Sequence, residues 1–232
     1  MIAAAAAAVA IAAQAQRPEF HAYRVTAAVG SERVDFSGDD AAGCADHGVC
    51  GITGTETWTP VRPEPGTIGA VTRVGRRVAG QAFLTGGNTT ASVSSPGSDA
   101  PCTDAFYVRQ AVVTFRHTGA RVQALLHGPV GEPPLGQDAA VFATHCAGPR
   151  IADLATAGAL PTTVLRVSSL RRRTLTLKLL ANAPFAQAGF SGQVVADVRV
   201  RLKRDRALER ILAASGGLVV SPGSAPGSSA PP

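Results

Sequence analysis

Asp197-Val198-Arg199-Val200-Arg201-Leu202-Lys203 alternates charged and apolar side chains without interruption. A period of two belongs to a β-strand with one face buried and the other in water, whereas a helix would repeat its apolar residues every three or four positions. Val198, Val200 and Leu202 are therefore expected to face a core, and Asp197, Arg199, Arg201 and Lys203 to face solvent. Thr174-Leu175-Thr176-Leu177-Lys178-Leu179 repeats the pattern with its leucines inward. The two segments read as successive strands of one antiparallel sheet.

The same period extends toward the N-terminus. Tyr23, Val25, Ala27 and Val29 alternate with Arg24, Thr26 and Ala28, then Gly30-Ser31-Glu32 offers a turn into Val34-Asp35-Phe36, which reads as a hairpin. Residues 52–58 keep threonine on one face, where a branched Cβ suits the pleat, and Pro60, Pro63 and Pro65 stop the strand. Further strands are expected at residues 69–73, 77–84, 89–94, 106–117 and 121–127, the last two joined by the turn Thr118-Gly119-Ala120. Residues 150–158 and 162–170 stay ambiguous between strand and a short helical turn. Repeated strands with turn signals at short intervals predict an all-β fold. The expected architecture is an antiparallel β-sandwich, Ig-like or jelly-roll-like, with a closed β-barrel as the alternative.

Residues 2–13 are almost purely apolar, Ala13-Gln14-Ala15 follows, and the polar run Gln16-Arg17-Pro18-Glu19 comes next. This is the layout of a signal peptide, residues 1–15, with cleavage expected after Ala15. Met1-Ile2 carries no Lys or Arg, so the natural start can lie further upstream. About twelve apolar residues fall short of the roughly twenty that span a bilayer, and no transmembrane span is expected. The β domain is assigned to residues 16–206. Leu208, Ile211 and Leu212 at helical spacing place a short helix within 207–217, and the Pro, Gly, Ser and Ala of 218–232 are expected to be disordered. High Ala, Arg, Gly and Pro with a single Met point to a high-GC bacterial genome.

Cys44, Cys50, Cys102 and Cys146 behind such a leader place the protein outside the reducing cytosol, secreted or extracytoplasmic, in the periplasm or at the cell surface. Four cysteines permit three pairings, and the compact spacing favours Cys44–Cys50 with Cys102–Cys146. The second bridge closes a loop of about 45 residues, worth roughly 4 kcal/mol on the chain-entropy model. A metal reading competes because His47 lies between two cysteines and His145 adjoins Cys146, but five intervening residues and no second close pair match zinc poorly. No metal and no cofactor are expected, and His47 and His145 are read as ordinary loop residues.

Catalytic signatures are equally thin. Ser191 in Gly189-Phe190-Ser191-Gly192 lacks the second spacer of a nucleophile elbow. There is no His-Glu-x-x-His and no phosphate-binding glycine loop, so no catalytic residue is assigned. Leu160-Pro161-Thr162-Thr163 departs from a cell-wall sorting motif at Val164, and Asn88-Thr89-Thr90, a formal glycosylation sequon, is read as a turn.

Charge is unevenly placed. Between Arg171 and Arg210 ten basic residues face three acidic ones, a local balance of +7 in a chain of net charge +6, which leaves −1 for the remainder. Period-two spacing sets Arg199, Arg201 and Lys203 side by side, and Arg171, Arg172 and Arg173 precede the neighbouring strand, so a hairpin could gather all six. Such a patch suits phosphate or carboxylate polymers, envelope polyanions among them. Nucleic acid is disfavoured because aromatic side chains for base stacking are absent nearby. The competing reading is a solvated strand face kept from aggregating by its charge.

Asp35-Phe36-Ser37-Gly38, then Cys44-Ala45-Asp46-His47-Gly48-Val49-Cys50-Gly51-Ile52-Thr53-Gly54-Thr55, and later His145-Cys146-Ala147-Gly148-Pro149 resemble segments of exported bacterial proteins of unknown function. That resemblance implies export and a β fold, and transfers no catalytic or binding residue. The leading expectation is a secreted, disulfide-stabilised, non-enzymatic binding or structural module of the envelope or extracellular space. The alternatives are an extracytoplasmic hydrolase with a dispersed His, Asp and Ser site, and a polyanion binder using the basic face from Arg171 to Lys203.

Overall fold

The first and last strands of the described residues lie side by side. In the computed structural model, which describes residues 18–39, 51–97, 99–127, 159–187 and 189–215, strand β1 (Glu19–Gly38) pairs with β9 (Phe190–Arg204) from Tyr23↔Arg204 to Gly38↔Phe190. Between them run β2 (Ile52–Pro60), β3 (Ile68–Val74), β4 (Arg77–Ser94), β5 (Cys102–Thr118), β6 (Arg121–His127), β7 (Thr162–Arg166) and β8 (Thr174–Gln187). A 3-10 turn (Val167–Arg171) links β7 to β8, and helix α1 (Arg206–Ala214) follows β9.

Strand β1 uses its other edge twice. Residues 19–24 pair with β3 and residues 32–38 with β2, while β4 pairs with the same two strands on their far side. The proline-containing stretch 61–67 thus interrupts a single stave instead of turning the chain, and the nine strands of the described residues occupy eight positions of a closed antiparallel β-barrel. The all-β expectation holds, and the barrel alternative describes the architecture in place of the two facing sheets of a sandwich. Alternation reports only that each strand has one buried face, which both architectures share. What separates them is the pairing of last strand with first, and no local pattern encodes it. Closure removes the exposed edges that an open sheet would present.

The barrel interior holds Val198, Val200 and Leu202 of β9 with Leu175, Leu177 and Leu179 of β8, as the alternation requires. Trp58 of β2, Val113 of β5, and Val122 and Leu126 of β6 are buried as well. Leu170 of the 3-10 turn is fully buried, and Tyr23 Oη donates a hydrogen bond to its carbonyl. Burial raises the Tyr23 phenol well above its ordinary pKa, so it remains a donor.

Several expectations change. The hairpin at Gly30-Ser31-Glu32 is absent, because β1 runs straight through these residues. Gly30 has φ +111°, and a β-carbon there would lie 1.9 Å from the Asp197 carbonyl oxygen, so this glycine serves close approach to β9. A bulge between Val25 and Ala27 exchanges the two faces beyond it, leaving Ala28 buried, Val29 exposed and Glu32 inside the barrel. The strands expected at 77–84 and 89–94 are one strand, β4, and Asn88-Thr89-Thr90 lies within it. The helix spans Arg206–Ala214, capped by the Asp205 carboxylate, which accepts from the Ala207 and Leu208 amides. The ambiguous stretch 162–170 divides into β7 and most of the 3-10 turn.

The expected signal peptide, Cys44, Cys50, Cys146, His47, His145, the stretch 150–158 and the expected tail 218–232 lie outside the described residues. Cys102 is disulfide-bonded. No helix among the described residues is long and apolar enough to cross a membrane.

Candidate functional site

Antiparallel register decides which charges meet. On the outer surface Lys203 stands opposite Arg24 of β1 and Thr174 of β8, Arg201 opposite Thr176, and Arg199 opposite Lys178. Residues directly across an antiparallel pair have Cβ atoms about 5 Å apart, so Lys178 with Arg199 and Arg24 with Lys203 are like-charge neighbours that oppose folding slightly. Arg199 is eased by Asp197 at 3.3 Å and Arg24 by Asp205 at 2.6 Å. Among the described residues Arg201, Lys203 and Lys178 have no carboxylate partner, and all three are exposed.

At the end of this face the surface folds inward. A cavity of about 540 Å³ is lined by Arg24, Arg171, Arg173, Lys203, Arg204, Asp205 and Arg206. Strand β1 supplies the first, the 3-10 turn and the bend after it the next two, the end of β9 Lys203 and Arg204, and the helix cap the last two.

The frame of the cavity is held from beneath. Arg171 makes two parallel hydrogen bonds to Glu19, Nε to Oε1 at 2.9 Å and Nη2 to Oε2 at 3.0 Å. Arg204 Nε donates to Glu209 Oε1 at 2.6 Å and its Nη1 to the Arg171 carbonyl at 2.9 Å. The Arg204 amide donates to the Arg173 carbonyl at 2.9 Å, and the Asp205 amide to the Ala22 carbonyl at 2.8 Å. Fork-shaped guanidinium contacts of this kind fix orientation as well as charge. Asp205 is held below the usual carboxylate range, first by the Leu208 amide and then by Arg24, and stays ionised.

Three of the lining arginines, Arg24, Arg171 and Arg204, are thus held in place by carboxylates. Arg173, Lys203 and Arg206 have no such partner among the described residues. Of the six residues singled out from the sequence, Arg171, Arg173 and Lys203 line the cavity, Arg199 and Arg201 extend the face away from it, and Arg172 is exposed outside its lining. Arg204 and Arg206 belonged to the basic run without being assigned a role. Arg24 was missed because only the pairing of β1 with β9 brings it there.

Histidine chemistry gathers elsewhere. His21 is 1% exposed, between Glu19 at 3.5 Å and Glu209 at 4.0 Å, and burial lowers its pKa against the pull of those carboxylates. It underlies the basic cavity without opening into it. His127 Nε2 lies 2.7 Å from Thr114 Oγ1. No histidine lines the pocket of Thr55, Thr57, Thr90, Ser92 and Thr103 or that of Ile68, Phe83 and Tyr107. Ser191 is exposed on β9 between Ser37 and Ala186. Among the described residues no three His, Cys, Asp or Glu side chains group as metal ligands.

No match to this chain was found among family models, curated proteins or solved structures.

The barrel interior adds a feature that sequence reading did not anticipate. Glu32, Trp58 and Thr89 stand in one register row across β1, β2 and β4, and Glu56 is one row further on. All four are buried. Burial raises the Glu32 carboxyl to about 8, with the Glu56 charge adding to the effect. Without the bulge after Val25 the alternation would have placed Glu32 in solvent, which is why period-two reading passes over it.

Proposed function

We propose that this chain is an exported, disulfide-stabilised β-barrel that acts without catalysis as a binding module of the cell envelope or extracellular space. It engages anionic polymers through the outer face of β8, β9 and β1. The observation that supports the reading most strongly is the set of outward cations Lys178, Arg199, Arg201 and Lys203 on β8 and β9, three of them without a carboxylate partner among the described residues, on a face that runs into a cavity lined by further arginines. Folding stability alone gives no reason to collect like charges in this way, since cross-strand pairs of equal sign destabilise a sheet.

The bland alternative, a solvated face that only prevents edge pairing, fits less well because β9 is paired on both sides and has no edge to protect. The hydrolase reading has weak support, since the best-surrounded histidine, His21, is closed off from solvent.

Retention on immobilised heparin tests the proposal. The R199S/R201S/K203S variant should elute at markedly lower salt than the parent chain while melting within a few degrees of it, because all three side chains are exposed. Equal elution would remove the polymer-binding role from this face.

A further inference from the structure

The open β-sheet face and the cavity at its end differ in chemistry. Along the face Arg199 and Arg201 stand two residues apart on β9 with Lys178 across from Arg199 on β8, single charges spread over an open surface that suit the separate charges of a polymer backbone. In the cavity Arg173, Lys203 and Arg206 converge from three different segments, backed by Arg24, Arg171 and Arg204 already fixed in orientation. Charges that converge from several directions suit a compact group with several acceptor oxygens.

We propose that the cavity is a receptor for a phosphomonoester, the end group of an anionic chain or a free small phosphate, and is separate in role from the face that holds internal polymer charges. The inference rests on the polyanion reading above and adds an end-group specificity to it. A phosphomonoester carries about −1.5 to −2 charge on three strong acceptor oxygens. An internal phosphodiester or a carboxylate offers a single charge. Three cations without partners match the larger charge, and the fixed guanidinium groups retain further N–H donors, since each has five and Arg171 commits only two to Glu19. A volume of about 540 Å³ exceeds a bare phosphate and admits the unit that bears it.

The test is calorimetric titration of the full chain with inorganic phosphate at low salt and pH 8, on the parent and two variants, R173S/R206S and R199S/R201S. The first pair lies in the cavity and the second on the face alone. Saturable binding should weaken at least tenfold in R173S/R206S and less than twofold in R199S/R201S, with both variants melting near the parent. Heparin retention should show the opposite order. Competition by a glycerol phosphate oligomer carrying a terminal phosphomonoester, and not by the same oligomer without it, assigns the chain end as the source. Phosphate binding that neither oligomer disturbs assigns the free monoester. Absence of saturable phosphate binding, or equal binding by R173S/R206S, overturns the proposal even where heparin retention persists. Loss of heparin retention by the parent would instead defeat the broader reading. Should R173S/R206S melt early, R206S alone replaces it, since its side chain is exposed and makes no contact that frames the cavity.

Discussion

Arg171 and Glu19, 152 residues apart, meet through two parallel hydrogen bonds that tie the 3-10 turn to the first residue of β1. The contact that closes this end of the barrel also fixes one wall of the basic cavity. Arg171 holds the Glu19 carboxyl below its ordinary value of 4.5, helped by His21 and Arg73 and opposed by partial burial. A depressed carboxyl contributes stability that is present above the unfolded value and lost as pH falls through the folded one. Melting temperature should therefore drop on acidification below about pH 4.5, and the drop should be shallower in Glu19→Gln. An unchanged acid profile in that variant would show that the pair does not support the barrel end.

Glu32 titrates in the opposite sense. Its carboxyl is raised from 4.5 to about 8, so the folded chain favours the protonated form. Stability is fully present below the unfolded value and is lost as pH rises toward 8. Trp58, opposite Glu32 in register and the sole tryptophan of the chain, reports this directly through its emission. The melting temperature followed at Trp58 should fall between pH 5 and 8.5 in the parent, and Glu32→Gln should flatten the curve and melt higher at pH 8.5. A parent curve that rises over this interval would contradict the buried placement of Glu32.

Gly30→Ala should be costly. The new methyl group would meet the Asp197 carbonyl oxygen at 1.9 Å in a backbone conformation that side chains rarely adopt. A loss of about 2 kcal/mol or more is expected from urea unfolding, since backbone, not a movable side chain, stands in the way. A loss below about 0.5 kcal/mol, typical of an exposed surface change, would mean that residues 30–32 form the turn that their composition suggests.

Much of the fold was legible because alternation is a direct record of one-sided burial. Val198, Val200 and Leu202 face the core and Arg199, Arg201 and Lys203 face outward, as their spacing requires. Illegible were the events that change phase or join distant ends. The bulge after Val25 carries Glu32 inside, and the β1–β9 pairing converts a series of strands into a barrel. The cavity shows the same division. Arg171, Arg173 and Lys203 were visible as parts of a basic run, whereas Arg24 enters it only through barrel closure.

Export and oxidation make a separate prediction. Alkylation and mass spectrometry of the mature protein without reductant should find Cys44, Cys50, Cys102 and Cys146 all unmodified by the thiol reagent, on a chain beginning at Gln16. Four alkylated cysteines would defeat the extracytoplasmic assignment. Reduction should lower stability by up to roughly 4 kcal/mol if Cys102 closes the long loop to Cys146.

The salt dependence of binding to a polyphosphate chain tests the central claim most directly. Each cation that neutralises a polymer charge releases counterions, and for a single-stranded polyanion the slope of log K against log salt changes by about 0.7 per contact. The parent should bind with a steep negative slope, and R199S/R201S/K203S should lose about 2 from its magnitude while remaining folded. Identical slopes in the parent and the variant would contradict the account.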